Sequence, residues 1–205
     1  MVQNIAFTKL LLFFYLNIFS VLGEKKLYNK RNTAFLGLFF LAFLVLAYLE
    51  NIFFFGVLGE ILQNSFLAVI MLFAHNALVV SLIVLGMSFY VRLVFLDFFR
   101  REKHADIIVT HPKTFAIIFA CIIVFISILR GATLITGKVN LEFLPLILSI
   151  SLPIGIVEGY GIYLAIKKTL SRMLSIKSLG YIYGIFCFAS VLEVAYINLL
   201  SWVVF

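Results

Sequence analysis

Charged residues are scarce in this chain. Asp, Glu, Lys and Arg make up 12% of its 205 residues, whereas 64% are apolar. A soluble domain usually has about a quarter of its residues charged and about half apolar. With so few charges the chain could not cover a globular core with polar surface, so its apolar side chains must face lipid. The composition therefore excludes a soluble domain of any size and predicts an integral membrane protein.

Cysteine is nearly absent as well. The two cysteines, Cys121 and Cys187, both lie inside apolar runs. This placement is typical of small apolar fillers and argues against a disulfide framework. The sequence also lacks the marks of a secretory signal peptide, because residues 1–7 carry no basic group and no A-x-A-like cleavage site follows the first apolar run. We therefore expect that run to remain in the mature protein.

Signatures of catalysis and cofactor binding are missing too. The sequence contains no His-Glu-x-x-His, no Gly-x-Ser-x-Gly, no P-loop and no dinucleotide-binding fingerprint. His104, Asp106 and His111 are close in sequence, but their spacing fits no standard metal site and is typical of a solvated basic loop. We therefore expect a protein that is not an enzyme, with no catalytic residues, no metal and no cofactor.

Long apolar segments dominate the chain. A helix needs about 20 mostly apolar residues to cross a bilayer. The second such segment is predicted to end at Glu50 and Asn51. The apolar piece 52–58 after them is too short to cross, so it is predicted to re-enter the membrane or to lie at its interface. The sequence predicts one all-α membrane domain, 1–205, a polytopic transmembrane helical bundle of about six spans. These spans are 5–22, 33–49, 66–90, 115–129, 141–166 and 179–205. For the segment 5–22 the sequence leaves open a second arrangement, in which it lies along the membrane surface.

Basic residues alternate between the connections of these spans. Thirteen of the sixteen Lys and Arg residues lie in or beside the first, third and fifth connections. Excess Lys and Arg is typical of cytoplasmic loops, so both termini are predicted to lie outside. The net charge of +7 then reflects topology, and no nucleic-acid partner is expected. We expect a multi-pass protein of a prokaryotic plasma membrane, in contact with membrane lipids.

Four polar residues fall well inside predicted spans. They are His75 and Asn76 in the third span, Glu158 in the fifth and Glu193 in the sixth. An ionised carboxylate at the bilayer centre costs about 2.5 to 3.5 kcal/mol. These groups should therefore face one another inside the bundle. Such a buried polar cluster is typical either of hydrogen bonds that fix helix packing or of a binding or conduction site, and the sequence leaves both open.

Proline and glycine surround the acid of the fifth span. Proline removes a helical hydrogen bond and tends to kink a helix, and glycines four residues apart allow another helix to approach closely. The sixth span repeats the four-residue spacing near its start. The sequence predicts a helix kink and close packing at Pro153, Gly155, Gly159, Gly161, Gly180 and Gly184.

Three stretches resemble one known family. They read FAHNALVVSL at 73–82, LPIGIVE at 152–158 and ASVLEVAYIN at 189–198. These are similar to the Asn-containing helix, the Pro-His-Gly-x-x-Glu signature and the closing Ala-Ala-x-x-Glu-x-x-x-Thr-Pro segment of the stage II sporulation protein M family. The blocks occur in the family's order. Ile154 stands where the family usually has histidine, and Asn198 and Leu199 stand where it has Thr-Pro.

The resemblance implies a membrane scaffold. In spore formers the family member recruits cell-wall hydrolases during engulfment, and other members occur in bacteria and archaea that never sporulate. For this chain it implies a scaffold or assembly factor that recruits other membrane or envelope proteins. The residues alone are equally compatible with a small transporter or channel. In that alternative, in which a homodimer is one arrangement, His75, Glu158 and Glu193 would line a path for protons or cations.

Overall fold

A computed structural model describes residues 30–61, 64–96, 98, 107–136 and 144–204. Within helices it describes only the backbone of residues 55–56, 58–61, 127–136, 144–151 and 199–204. The described part is α-helical and contains no strand, in agreement with the predicted fold class. The helices are α1 Lys30–Ile61, α2 Ser65–Phe95, the short α3 Ile107–Thr110, α4 Pro112–Thr136, α5 Leu144–Leu170 and α6 Ile176–Val204.

Three of the described helices are long and apolar enough to cross a membrane. The stretches concerned are Lys30–Phe54, Ser65–Phe95 and Ile176–Asn198, and Pro112–Ile126 is a shorter apolar helix. Many large apolar side chains on these helices are exposed, as expected for surfaces that face lipid. The predicted span 5–22 lies outside the described residues. The count of six spans and the position of the termini stay predictions.

The helix that carries the predicted second span does not end at Glu50. The helix α1 continues through Glu50 and Asn51 for 32 residues, and the apolar piece 52–58 is part of it. At a rise of about 1.5 Å per residue, α1 is about 48 Å long, more than the hydrocarbon thickness of a bilayer. A charged residue can lie inside this helix because a side chain of α2 provides it with a hydrogen-bond partner, described below.

The first two described helices form an antiparallel hairpin. Asn64 caps the start of α2, since its side-chain oxygen accepts hydrogen bonds from the backbone N–H groups of Phe66 and Leu67, each at 3.2 Å. Further along the hairpin, two glycines each lie against a phenylalanine ring of the other helix. A Cβ on Gly37 would lie 2.7 Å from the ring of Phe89, and a Cβ on Gly86 would lie 3.0 Å from the ring of Phe40. Because each of these glycines faces a ring of the other helix, the two backbones can approach closely.

The helix α2 is the central element of the described part. It packs against α1 on one side and against α5 and α6 on the other, and α5 also packs against α4 and α6. The largest apolar core lies between α2, α4, α5 and α6, and Val80, Ala165, Ile166 and Ile182 within it are fully buried. A polar side chain on α2 can therefore reach either α1 or α5, depending on the direction in which it points.

Candidate functional site

His75 and Asn76 are adjacent on α2 and point to different helices. Successive residues of an α-helix are rotated by about 100°, because one turn takes about 3.6 residues. His75 accordingly meets α1, whereas Asn76 meets α5. Together with their partners Glu50 and Glu158 they form what we call the polar layer. Since His75 and Asn76 are neighbours in the chain, the layer joins three helices at one level of the bundle.

The α1 half of the polar layer is a histidine–carboxylate pair. Nδ1 of His75 lies 2.9 Å from Oε2 and 3.2 Å from Oε1 of Glu50. The His75 side chain is 5% exposed and that of Glu50 is 21% exposed. Phe54, one turn after Glu50, stacks on the imidazole with ring centroids 4.6 Å apart. Glu50 therefore contacts the edge of the His75 ring and Phe54 contacts its face, and both of these residues belong to α1.

Apolar side chains close this half of the layer from one side. Phe54 is buried in a small cluster with Ala68, Leu72 and Val194, so α1, α2 and α6 meet there. Glu193 is half-buried on α6, one residue before Val194. Glu193, the last of the four polar residues that the sequence singled out, therefore lies on a helix that packs beside the polar layer.

The α5 half of the layer is an amide–carboxylate hydrogen bond. Nδ2 of Asn76 donates to Oε1 of Glu158 at 2.9 Å, and both residues are half-buried. The structure thus joins Asn76 and Glu158, both of which the sequence singled out, by a direct hydrogen bond. It pairs His75 with Glu50, which the sequence reasoning had placed at the end of a span.

Glycines bring α4 and α6 close to the acid-bearing helix. A Cβ on Gly159 would lie 2.7 Å from a methyl group of Val124 on α4, and one on Gly155 would lie 3.2 Å from the same side chain. On another face, a Cβ on Gly161 would lie 2.6 Å from the ring of Phe186 on α6. These three glycines are buried and occupy positions that larger residues could not take without displacing a neighbour.

The other predicted packing residues are arranged differently. Pro153 is exposed and lies inside α5, which continues past it to Leu170. No atom lies within 4 Å of a Cβ built on Gly180 or Gly184. Within the described chain, these two glycines therefore do not allow a close helix approach. Gly184 instead lines an open apolar groove of about 400 Å³ beside Tyr160 and Phe188.

Two further polar contacts lie outside the predicted cluster. The hydroxyl groups of Ser81 and Tyr183 are 2.7 Å apart and connect α2 with α6. Nδ2 of Asn198 donates to Oγ of Ser65 at 2.9 Å and connects the same two helices at another level. Neither contact was predicted, because Ser and Tyr are common in spans and only their position on facing helices makes them partners.

Metal binding finds no support in the described residues. No group of three or more His, Cys, Asp or Glu side chains in that part of the chain could hold a metal ion. His104 and Asp106 lie outside the described residues, and His111 is exposed. What the polar layer offers is two carboxyl groups, each hydrogen-bonded to a side chain of α2. Such an arrangement can fix the rotation and depth of α1 and α5 relative to α2.

Comparison with known proteins yields no relative. No protein-family model matches the sequence, and neither a curated protein nor a solved structure matches it.

Proposed function

We propose that this chain is a multi-pass membrane scaffold or assembly factor of a prokaryotic envelope. The observation that carries the proposal is the polar layer, in which Glu50, His75, Asn76 and Glu158 are engaged in side-chain contacts between helices. Each of the two contacts joins α2 to a different neighbouring helix, which favours a role in fixing helix packing. The recruitment of partners rests on the resemblance to the sporulation protein.

Copurification tests the scaffold. We expect the tagged chain, cross-linked in its native membrane and extracted, to retain a defined set of envelope proteins identified by mass spectrometry. An unrelated multi-pass protein expressed at the same level serves as the control. Recovery of the same proteins with both baits would contradict a recruiting role.

Flux measurements separate the scaffold from the transporter. Glu158→Gln removes the charge but keeps a side-chain oxygen that can accept the hydrogen bond from Asn76, so the helix packing should survive. We expect proteoliposomes with the original chain and with the variant to give the same background proton and cation leak as empty liposomes. A conductance that the original protein has and that folded Glu158→Gln lacks would replace the scaffold with a channel or transporter.

Thiol labelling tests the six-span topology with both termini outside. In a chain whose native cysteines Cys121 and Cys187 are replaced by alanine, single cysteines are introduced at Gln63, Lys138 and Met173. An impermeant maleimide added to intact cells is expected to label the first two positions, whereas Met173→Cys should react only after lysis. Labelling of Met173→Cys in intact cells would reverse the predicted orientation.

A further inference from the structure

Basic residues lie near the ends of α2 and α5 and near the starts of α4 and α6. We call this region the basic end, and its helical members are Arg92, Lys113, Lys167, Lys168 and Lys177. The α5–α6 turn, residues 171–175, is part of this region. Residues 159–192 contain four basic side chains and no acidic one. These four basic residues are Lys167, Lys168, Arg172 and Lys177.

The backbone of the turn has an unusual residue at its key position. The N–H of Arg172 donates to the carbonyl of Thr169 at 3.0 Å, and that of Met173 donates to the carbonyl of Lys168 at 2.8 Å, so the turn closes the end of α5. This places Arg172 at φ = +54°, in the left-handed region, where glycine is the usual residue. The turn therefore carries an arginine where backbone conformation alone favours glycine.

The guanidinium of Arg172 has a defined place. It lies 3.5 Å from the ring centroid of Phe95, the last residue of α2, in a cation–π contact. The turn is thereby connected to the end of another helix. On the preceding turn of α5, Nζ of Lys167 lies 5.3 Å from the ring centroid of Tyr163. Aromatic rings thus orient two of the four cations.

The start of α6 adds positive potential. Ser175 and Ser178 cap the helix reciprocally, with the N–H of each donating to the hydroxyl of the other at 2.8 and 3.2 Å. A capping box usually has Glu or Gln at the second position, and the first turn of α6 holds no acidic residue. It holds Lys177, a cation at the positive end of the helix dipole, which is unfavourable without an anion nearby.

Exposed apolar side chains surround these cations. Met173 is 75% exposed, Ile176 is 53% exposed and Phe95 is 45% exposed. Cations intermixed with exposed apolar groups match the boundary of a bilayer, where phosphate groups lie above acyl chains. A nucleic acid or a soluble phosphate would leave the apolar groups in water.

We propose that the α5–α6 turn binds the headgroup of an anionic phospholipid, with Arg172, Lys168 and Lys177 around the phosphate and Met173 and Ile176 among the acyl chains. The two unfavourable features of the turn, an arginine in the left-handed region and a lysine at a helix start, both place positive charge there. A bound anion would interact favourably with both positive charges, and this interaction would offset the energetic cost of the two features. The proposal does not depend on the scaffold role.

Native mass spectrometry of the purified full chain tests the site. Phosphatidylglycerol and phosphatidylcholine are added at equal concentrations, and the retained molecules of each are counted. We expect the original chain to retain phosphatidylglycerol preferentially. Arg172→Gly should reduce that preference about five-fold, since a basic residue near an anionic lipid contributes about that factor. The control Arg130→Gln removes one cation from the sequence outside the turn and should leave the preference unchanged.

Thermal stability distinguishes lipid binding from a structural role of the arginine. Glycine adopts φ = +54° without strain, which offsets the loss of the cation–π contact with Phe95, so Arg172→Gly in detergent alone should melt close to the original chain. Phosphatidylglycerol should raise the melting temperature of the original chain and have less effect on the variant. Equal lipid preference in Arg172→Gly and Arg130→Gln would overturn the proposal. So would equal stabilisation by soluble glycerol phosphate, which would indicate a soluble anion.

Discussion

His75→Phe is expected to lower the free energy of unfolding by about 3 kcal/mol. The phenylalanine ring can keep the stack on Phe54, but it offers no nitrogen to the Glu50 carboxyl group. A buried hydrogen-bonding group that is left without its partner costs about 1 to 3 kcal/mol, and more when the group is charged. Unfolding titrations with SDS in mixed micelles would measure the loss.

The double variant makes this prediction specific. Glu50→Met with His75→Phe replaces both partners by apolar groups of similar size, which lipid and the neighbouring side chains tolerate. We expect the double variant to recover most of the loss seen in His75→Phe. As a matched control, the cycle of Ser81→Ala and Tyr183→Phe removes a neutral contact and should give about 0.6 kcal/mol of coupling. If the losses from Glu50→Met and His75→Phe simply add, the pair is not energetically coupled and the prediction fails.

Gly161→Ala is expected to destabilise the protein by about 1 to 3 kcal/mol, the usual cost of overpacking. The added methyl group would lie 2.6 Å from the ring of Phe186. This ring is 2% exposed in the core between α2, α4, α5 and α6, so it has little room to move. The same SDS titration measures the effect.

Gly184→Ala is the matched control for the crowded glycine. The same methyl group on α6 meets no atom within 4 Å. Alanine is favoured over glycine in a helix by about 0.8 to 1.0 kcal/mol, so this variant should be neutral or more stable. An equal change of stability in the two variants would mean that the crowding at Gly161 adds no cost of its own, which would contradict the prediction. A loss in Gly184→Ala alone, accompanied by a fall in oligomer mass, would indicate a second copy of the chain in the groove.

The helices could be predicted from sequence because long apolar segments and charge are local signals. The hydrogen-bond partner of His75 could not be predicted in this way. A search for apolar segments treats an acid as the end of a span, since an unpaired carboxylate is costly there. Glu50 is paired, however, and its partner lies 25 residues further along the chain. The helical rotation between His75 and Asn76 was the available sign that the two side chains need different partners.

The glycines illustrate a second limit of sequence reasoning. Gly155 and Gly159 share their four-residue spacing with Gly180 and Gly184, and the sequence cannot distinguish the two pairs. In the structure the first pair lies against Val124, whereas the second has open space around it. Spacing shows only that two residues share a helix face. Whether that face points inward depends on the packing of all the helices.

The two halves of the polar layer also differ in when they can form during synthesis. Glu50 and His75 are 25 residues apart, so the first acid finds its partner as soon as the next helix enters the bilayer. Asn76 and Glu158 are 82 residues apart, and the amide must wait while α4 is made and inserted. The hairpin of α1 and α2 can therefore mature early as a unit. The later helices then dock on a surface whose asparagine is already in place.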